Sequence, residues 1–235
     1  MLARDAYRLM VVSSFMVSAC GTTARPQADA AKDSGAPAAT ASTPTVLLIG
    51  TSLTAGYGLD PADAWSTHLQ QKIDSSGLTF HVVNAGVSGE TSADALHRID
   101  WLLSQGVPAL VVVESGANDA LRGQPVDSIR ANVDAIVTRL DSLRPRPAIA
   151  IAGMEALPNL GRGYGDEFRR IFPALARGHH DHYLPFLLNG VAGVASLNQA
   201  DGIHPNREGS RRVAENVWMA LQPILDSIQE AHGHL

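Results

Sequence analysis

An aspartate and a histidine near the C-terminus have the spacing of a catalytic pair. Residues 201–206 read DGIHPN, so that Asp201 precedes His204 by three positions. In a turn, this spacing lets the carboxylate orient the imidazole, which can then act as a general base for a serine hydroxyl. An Asp-x-x-His pair is also frequent in ordinary surface turns, so the chemistry depends on finding a nucleophile elsewhere.

The candidate nucleophile is Ser52, in the segment 50–58, which reads GTSLTAGYG and follows an apolar run. The segment is not the G-x-S-x-G turn of the α/β-hydrolases. It also matches neither a Walker loop nor the G-x-G-x-x-G pattern of dinucleotide-binding proteins. Taken alone, a turn or helix-capping serine is the simpler interpretation of Ser52.

Two further segments contain groups that can stabilise a developing negative charge. Residues 84–91 (NAGVSGET) include glycines, whose backbone N–H groups can approach a ligand closely, although turn geometry alone also explains them. Residues 114–119 (ESGAND) include Asn118, whose amide can donate to an oxyanion or could simply cap a helix. The four segments together supply a nucleophile, a base, an orienting acid and donors, as acyl transfer through a covalent intermediate requires.

Alternating strands and helices are expected to position these segments. Short apolar runs predict strands that are buried on both faces, and apolar residues spaced three and four apart predict amphipathic helices. The strands are expected at 45–49, 80–84, 109–113 and 148–152, with a weaker fifth near 183–186; the helices are expected at 62–73, 96–103, 126–140 and 213–228. This order implies a parallel sheet covered by helices on both faces, with ligands bound beyond the carboxyl ends of the strands.

The four segments resemble, in order and spacing, those of the SGNH/GDSL hydrolases, and within them the bacterial thioesterase I, lysophospholipase and arylesterase group. The resemblance covers about residues 45–225. It implies an α/β fold, a flavodoxin-like parallel sheet in a three-layer α/β/α arrangement with a shallow active site. It also implies that no metal or other cofactor takes part.

The resemblance also implies a role for each candidate residue. Ser52 is the expected nucleophile, His204 its base and Asp201 the residue that orients His204. The expected oxyanion hole consists of the backbone N–H groups of Ser52 and Gly89 and the side-chain amide of Asn118.

One position departs from the usual pattern of this family. Where the family has Gly-Asp-Ser, this chain has Gly50-Thr51-Ser52. The aspartate is not a member of the family's catalytic triad, so the change does not exclude activity. Thr51 offers a hydroxyl to nearby groups but no charge, which bears on the rigidity of the loop and the tuning of Ser52.

The expected activity is hydrolysis of carboxylic esters or thioesters of small acyl or aryl compounds, or of lysophospholipids, through an acyl-enzyme. Two alternatives remain open at this point. The same triad deacetylates sugars, so the protein could be a carbohydrate O-acetylesterase. It could also be a non-catalytic binding lipoprotein of the cell envelope, with Thr51 as a sign of lost activity.

The first 44 residues are expected to lie outside the catalytic domain. Residues 9–19 are an apolar run preceded by positive charge, too short to span a membrane and typical of a secretory signal peptide. The run ends in V-S-A-C, which resembles a bacterial lipobox whose cysteine is Cys20; an ordinary signal peptide with an incidental cysteine is the alternative. Residues 21–44 contain no Leu, Ile, Val, Met or aromatic residue and predict a flexible linker.

The expected organisation is therefore a signal peptide at 1–19, a lipidated cysteine and linker at 20–44, and a hydrolase domain at 45–235. Such a protein would lie in the bacterial cell envelope as a periplasm-facing or surface lipoprotein, attached to the membrane through Cys20. We expect a monomer whose partners are a small acyl-ester substrate and, through the lipid, the membrane.

The composition narrows the possible partners further. The 235 residues include 18 Lys and Arg against 23 Asp and Glu, a net charge of −5, which does not suit sequence-independent binding of nucleic acid. The single cysteine excludes an internal disulfide.

Two other segments attract attention but are expected to be loops. Residues 178–182 read GHHDH, yet neighbouring side chains at a helix end point in different directions and no cysteine is available for zinc, so we expect a solvated loop without a metal. Residues 161–165 read GRGYG and are expected to form a flexible loop. Together with Leu157, Pro158 and Asn159, this loop could border the substrate pocket.

Overall fold

A computed structural model of the protein describes residues 43–233. The signal peptide expected at 1–19, the lipidated Cys20 and the expected linker up to residue 42 lie outside the described residues. Within the described part of the chain, no helix combines the length and the apolar character needed to cross a membrane.

Five parallel strands form a single sheet in the order β2-β1-β3-β4-β5. Their bounds are β1 Thr45–Gly50, β2 His81–Gly86, β3 Leu110–Val113, β4 Ala148–Ala152 and β5 His182–Leu184. The three central strands β1, β3 and β4 are buried almost throughout, which is why their sequences are continuous apolar runs. The α/β fold class expected from the sequence is confirmed.

The strand β2 does not fit the expectation that it is buried on both faces. It lies at the edge of the sheet, pairs only with β1, and is exposed at His81, Val83 and Asn84. Its position along the chain, second of the five described strands, does not reveal its edge position, because the crossovers between strands decide their order in the sheet.

Helices cover both faces of this sheet. Their bounds are α1 Ser52–Ala55, α2 Trp65–Ser75, α3 Ser92–Leu103, α4 Ala117–Leu121, α5 Val126–Asp141, α6 Arg162–His179 and α7 Arg207–Gly233. The helix α2 packs against α7, whereas α5 packs against both α3 and α6, which gives the three layers. The apolar positions predicted for α5 and α7 do face the core: Val133, Ile136, Val137, Leu140, Val213, Val217, Leu221 and Leu225 are fully buried.

The helix α6 corrects two expectations. The segment 161–165 is its first turn and not a flexible loop, and the hydroxyl of Tyr164 donates to the carbonyl oxygen of Gln124 at 2.7 Å. The segment 178–182 is not a solvated loop either. His179 is the last residue of α6 and is half-buried between two aspartates, and the side chain of Asp181 is only 1% exposed. These tertiary contacts have no counterpart in the local sequence.

Candidate active site

Ser52, His204 and Asp201 form one continuous hydrogen-bonded chain beyond the carboxyl end of β1. The hydroxyl of Ser52 lies 2.9 Å from Nε2 of His204. The Nδ1 atom of His204 lies 2.7 Å from a carboxylate oxygen of Asp201. The structure thus brings together three side chains that are separated by up to 152 positions in the chain.

The local turn after β1 presents Ser52 to this site. Thr51 is the N-cap of the short helix α1, since its hydroxyl accepts from the backbone N–H of Leu53, and Ser52 is the first helical residue. The capping role considered for Ser52 therefore belongs to its neighbour. Gly56, at a φ of 73°, ends the helix in a conformation that favours glycine.

Asp201 is held as a carboxylate by its own turn. The backbone N–H groups of His204 and Ile203 donate to one of its oxygens, at 3.0 and 2.9 Å, and the imidazole of His204 donates to the other. These hydrogen bonds lower the pKa of Asp201 to about 2. An ionised Asp201 places the ring proton of His204 on Nδ1, so that Nε2 is free to accept the proton of Ser52.

Gln199, which the sequence did not reveal, and Tyr57, which lies in the segment 50–58, connect the Ser52 turn with the His204 turn. The amide of Gln199 donates to the carbonyl oxygens of Tyr57 and Pro205, at 2.7 and 3.0 Å. The ring of Tyr57 packs against that of His204, with their centroids 4.7 Å apart. Gln199 belongs to none of the four segments, because its role depends on a contact with Tyr57, 142 positions away.

The expected oxyanion donors lie at the same edge of the sheet. The side-chain nitrogen of Asn118 donates one hydrogen to the carbonyl oxygen of Glu90, at 3.0 Å, and has a second hydrogen to offer to a ligand. Gly89 has a φ of 81°, a backbone conformation that favours glycine, and its carbonyl oxygen accepts from Arg122. Both residues line the same cleft as Ser52.

A buried aspartate holds the two oxyanion segments together. Asp119 accepts from the backbone N–H and the hydroxyl of Ser92, at 2.8 and 2.6 Å, and thereby ties α4 to the start of α3. Gly89 precedes α3 and Asn118 lies in α4, so this contact fixes the position of one expected donor relative to the other.

A cleft of about 540 Å³ opens over these groups. It is lined mostly by apolar side chains, and the larger ones are Leu53, Tyr57, Leu121, Met154, Leu157, Pro158, Phe186, Leu188 and Ile203. Of the border suggested by the sequence, Leu157 and Pro158 line this cleft, whereas Asn159 and the segment 161–165 do not. Two other clefts, of about 630 and 710 Å³, lie beside α7 and contain none of the candidate catalytic residues. The 540 Å³ cleft is therefore the one in which a substrate would meet Ser52.

Among the described residues, one group could converge on a cation. One oxygen or nitrogen each from Asp141, His179 and Asp181 lie within 4.8 Å of one another. Arg146 already pairs with both carboxylates, and His179 with Asp141, so the chain itself supplies the positive charge. This group lies at the amino ends of the strands, since Asp181 immediately precedes β5, whereas Ser52 lies beyond the carboxyl end of β1.

Comparison with known proteins finds one matching family model. Residues 48–212 match the model of the GDSL-like lipase/acylhydrolase family. The chain is 38% identical over 181 residues to esterase TesA of Pseudomonas aeruginosa, covering 77% of this chain and 89% of that protein. It is 36% identical over 184 residues to the Escherichia coli K12 protein named thioesterase 1/protease 1/lysophospholipase L1, covering 77% and 85%.

Solved structures show the same architecture. The crystal structure of TesA superposes with a TM-score of 0.72 and covers 76% of this chain and 98% of its own. The psychrotrophic esterase EstA from Pseudoalteromonas, in a structure inhibited by monoethylphosphonate, is 33% identical and has a TM-score of 0.73, covering 77% and 98%.

Proposed function

The chain belongs to the GDSL-like lipase/acylhydrolase family and hydrolyses ester bonds, and we propose that it does so through an acyl-enzyme formed on Ser52. The observation that carries this proposal is the hydrogen-bonded chain from Ser52 through His204 to Asp201. A hydroxyl within hydrogen-bond distance of an imidazole that is itself oriented by a carboxylate is the arrangement of an activated serine.

In the first half of the reaction, Ser52 Oγ attacks the acyl carbonyl while its proton passes to Nε2 of His204. The carbonyl oxygen becomes an oxyanion, which accepts from the backbone N–H groups of Ser52 and Gly89 and from the amide of Asn118. The bond to the leaving group then breaks, and the alcohol or thiol departs with the proton from His204.

In the second half, a water molecule attacks the acyl-enzyme while His204 accepts its proton. The same donors stabilise the second oxyanion, and its collapse releases the acid and restores the hydroxyl of Ser52. Asp201 remains ionised throughout and stabilises the positive charge that His204 carries in each half.

For the substrate, we propose small acyl or aryl esters, thioesters or lysophospholipids. The relatives are named as an esterase and as a thioesterase and lysophospholipase. The apolar lining of the cleft around Ser52 supports an acyl or aryl group more than the hydroxyl-rich surface of a polysaccharide, which disfavours the carbohydrate O-acetylesterase alternative.

For the location, we propose the bacterial cell envelope, with the protein secreted and held at a membrane through lipid on Cys20. The support comes from the apolar run at 9–19, the lipobox-like ending at Cys20 and the apolar-poor linker that follows. The anchor would leave the catalytic domain free to act as a monomer on diffusing or membrane-borne esters.

Replacing Ser52 tests the chemistry. Ser52→Ala is expected to lower kcat for p-nitrophenyl acetate by a factor on the order of 10⁶, as loss of the nucleophile does in serine hydrolases. A fluorophosphonate probe should label the wild-type protein and not the variant. The matched control is Ser104→Ala, at the end of α3 and remote from the cleft, which should keep full activity and labelling. Substantial hydrolysis by a folded Ser52→Ala variant would exclude the acyl-enzyme on this residue, and a wild-type protein that does not react with the probe would favour the non-catalytic alternative.

A further inference from the structure

Directly beneath the nucleophile turn lies a carboxyl group that the proposed mechanism does not use. Glu114 follows β3 and its side chain is completely buried. One carboxylate oxygen accepts from the backbone N–H of Thr51 at 2.7 Å and from the hydroxyl of Thr54 at 2.9 Å. The other accepts from the hydroxyl of Thr51 at 2.9 Å. These partners are residues on both sides of Ser52.

A carboxyl group in this position is costly unless its hydrogen bonds offset the burial. Burial raises the pKa of Glu114 to about 7, and the hydrogen bonds from Thr51 and Thr54 oppose this rise. Hydrogen bonds to a carboxylate are shorter and about twice as strong as those between neutral groups. Above about pH 7, where Glu114 is ionised, the three donors of the Ser52 turn are therefore held by a stronger acceptor than a neutral side chain could supply.

The packing around this network leaves the turn little freedom. A Cβ atom on Gly50 would lie 2.6 Å from a carboxylate oxygen of Glu114 and closer still to the hydroxyl of Thr54, so the strand end and the network are in direct contact. From the other side, the amide of Asn84 donates to the carbonyl oxygen of Thr54 at 2.7 Å. The helix α1 is thus fixed from two neighbouring strands.

We propose that Glu114 is a positioning residue for the nucleophile, holding the turn from Thr51 to Thr54 so that the hydroxyl of Ser52 points at His204. This arrangement gives a physical reason for threonine, in place of the family's aspartate, at position 51. An aspartate there would bring a second carboxyl group against Glu114 in a site closed to water, whereas Thr51 donates a hydrogen bond to it. Thr51 and Thr54 are the two hydroxyl contacts through which the buried carboxylate acts on Ser52.

The proposal rests on the proposed role of Ser52, and it is tested by separating kcat from KM. Three variants weaken the network without a large change in volume: Glu114→Gln, Thr54→Val and Thr51→Val. Each is expected to lower kcat for p-nitrophenyl acetate by about 10- to 100-fold, because a misplaced reacting group costs this much, with KM changed by less than about threefold. The rate of fluorophosphonate labelling should fall in parallel. Thr51→Ser keeps the hydroxyl that Thr51→Val lacks, and its kcat should lie within about threefold of the wild type.

A control separates positioning from loss of stability. Asp181→Asn removes the charge of another buried carboxylate, which pairs with Arg146 at 2.6 Å. Asp181 immediately precedes β5, at the amino ends of the strands and away from Ser52. The variant should lower the unfolding midpoint in urea and leave kcat per folded molecule unchanged. If Glu114→Gln does not fold, Thr54→Val decides the matter, because it removes only the hydroxyl that donates to Glu114, whereas Thr51→Val also removes the N-cap contact with Leu53.

The proposal is overturned if the folded network variants keep kcat within threefold of the wild type, or if Thr51→Ser is as impaired as Thr51→Val. Either result would make Glu114 a structural residue only. These results differ from a failure of the proposed function, in which Ser52→Ala itself would remain active.

Discussion

At the scale of single residues, the environment of Asp201 decides how His204 works. The carboxylate of Asp201 is partly exposed, yet three hydrogen bonds from its own turn lower its pKa to about 2, against an ordinary value of 3.8. Because the pKa is lower in the folded state, this stabilisation is present above about pH 4 and is lost only as the pH falls towards 2. Asp201 therefore stays ionised over the range in which esterases work, so its own protonation does not account for a loss of activity in mild acid.

Asp201→Asn tests this orienting role. The amide oxygen of the new side chain can still accept from the backbone N–H groups of Ile203 and His204, but its NH₂ group would face Nδ1 of His204 and favour the wrong tautomer. We expect kcat to fall by about 10³- to 10⁴-fold with little change in KM, as for other serine triads. Steady-state kinetics at pH 8 provide the measurement, and a variant that retains a tenth or more of the wild-type kcat would contradict the assignment.

At the scale of elements, a partly exposed charge cluster joins α5 to the end of α6. His179 ends α6, and its two ring nitrogens lie 2.8 and 2.7 Å from carboxylate oxygens of Asp134 and Asp141 on α5. Burial alone lowers the pKa of His179, but the hydrogen bonds to both aspartates outweigh it and raise the pKa above 6.5. Because the pKa is higher in the folded state, the pairing stabilises the protein fully below about pH 6.5 and progressively less above it.

His179→Gln tests this contact between α5 and α6. The variant is expected to unfold about 1–2 kcal/mol more easily than the wild type at pH 5.5, because a glutamine cannot carry the positive charge. The difference should shrink towards pH 8.5, as the wild-type imidazole loses its proton. Urea unfolding at both pH values measures it, with Asp134→Asn combined with Asp141→Asn as the background in which the pH dependence should vanish. A difference independent of pH would mean that only packing is lost.

At the scale of the whole molecule, the catalytic candidates and the cysteine proposed as the anchor lie in separate parts of the sequence. All catalytic candidates lie within the matched family region 48–212, whereas the chain's single cysteine lies before it, at position 20. The catalytic domain thus contains no thiol, and a serine nucleophile agrees with that composition. The lipid proposed on Cys20 would change where the enzyme acts without changing how it acts.

Cys20→Ser tests the anchor independently of catalysis. The variant is expected to leave the membrane fraction or to remain unprocessed, because the acyl chains that hold a lipoprotein in the bilayer have no attachment point. Fractionation of cells followed by the ester assay measures it. The matched control, Ser52→Ala, should stay with the membrane while losing activity. A Cys20→Ser protein that is processed and still membrane-bound would show that the lipobox interpretation is wrong.

Much of the fold followed from the sequence, because its signals are local. The apolar runs at 45–49 and 148–152 and the helical spacing at 126–140 could be read without knowing any partner, and the structure places strands and a helix there. The edge position of β2 and the helix α6 could not be read in this way. An edge strand differs from a central one only in its neighbours, and the glycine-rich start of α6 is stabilised by contacts with other segments.

The candidate site likewise contains residues that the sequence predicted and residues that only the tertiary structure revealed. By itself, the sequence determined which residue types stand at the ends of the strands, and its resemblance to the family nominated Ser52, His204, Asp201, Gly89 and Asn118 as members of one site. Only the tertiary structure decided that a buried carboxyl group at position 114 would meet Thr51 and Thr54, and that Gln199 would link two distant turns. The physical reason is that catalytic residues stand in short local patterns that can be recognised in a sequence. The groups that hold them in place are brought to them by packing between segments far apart in the chain, and no local pattern records that contact.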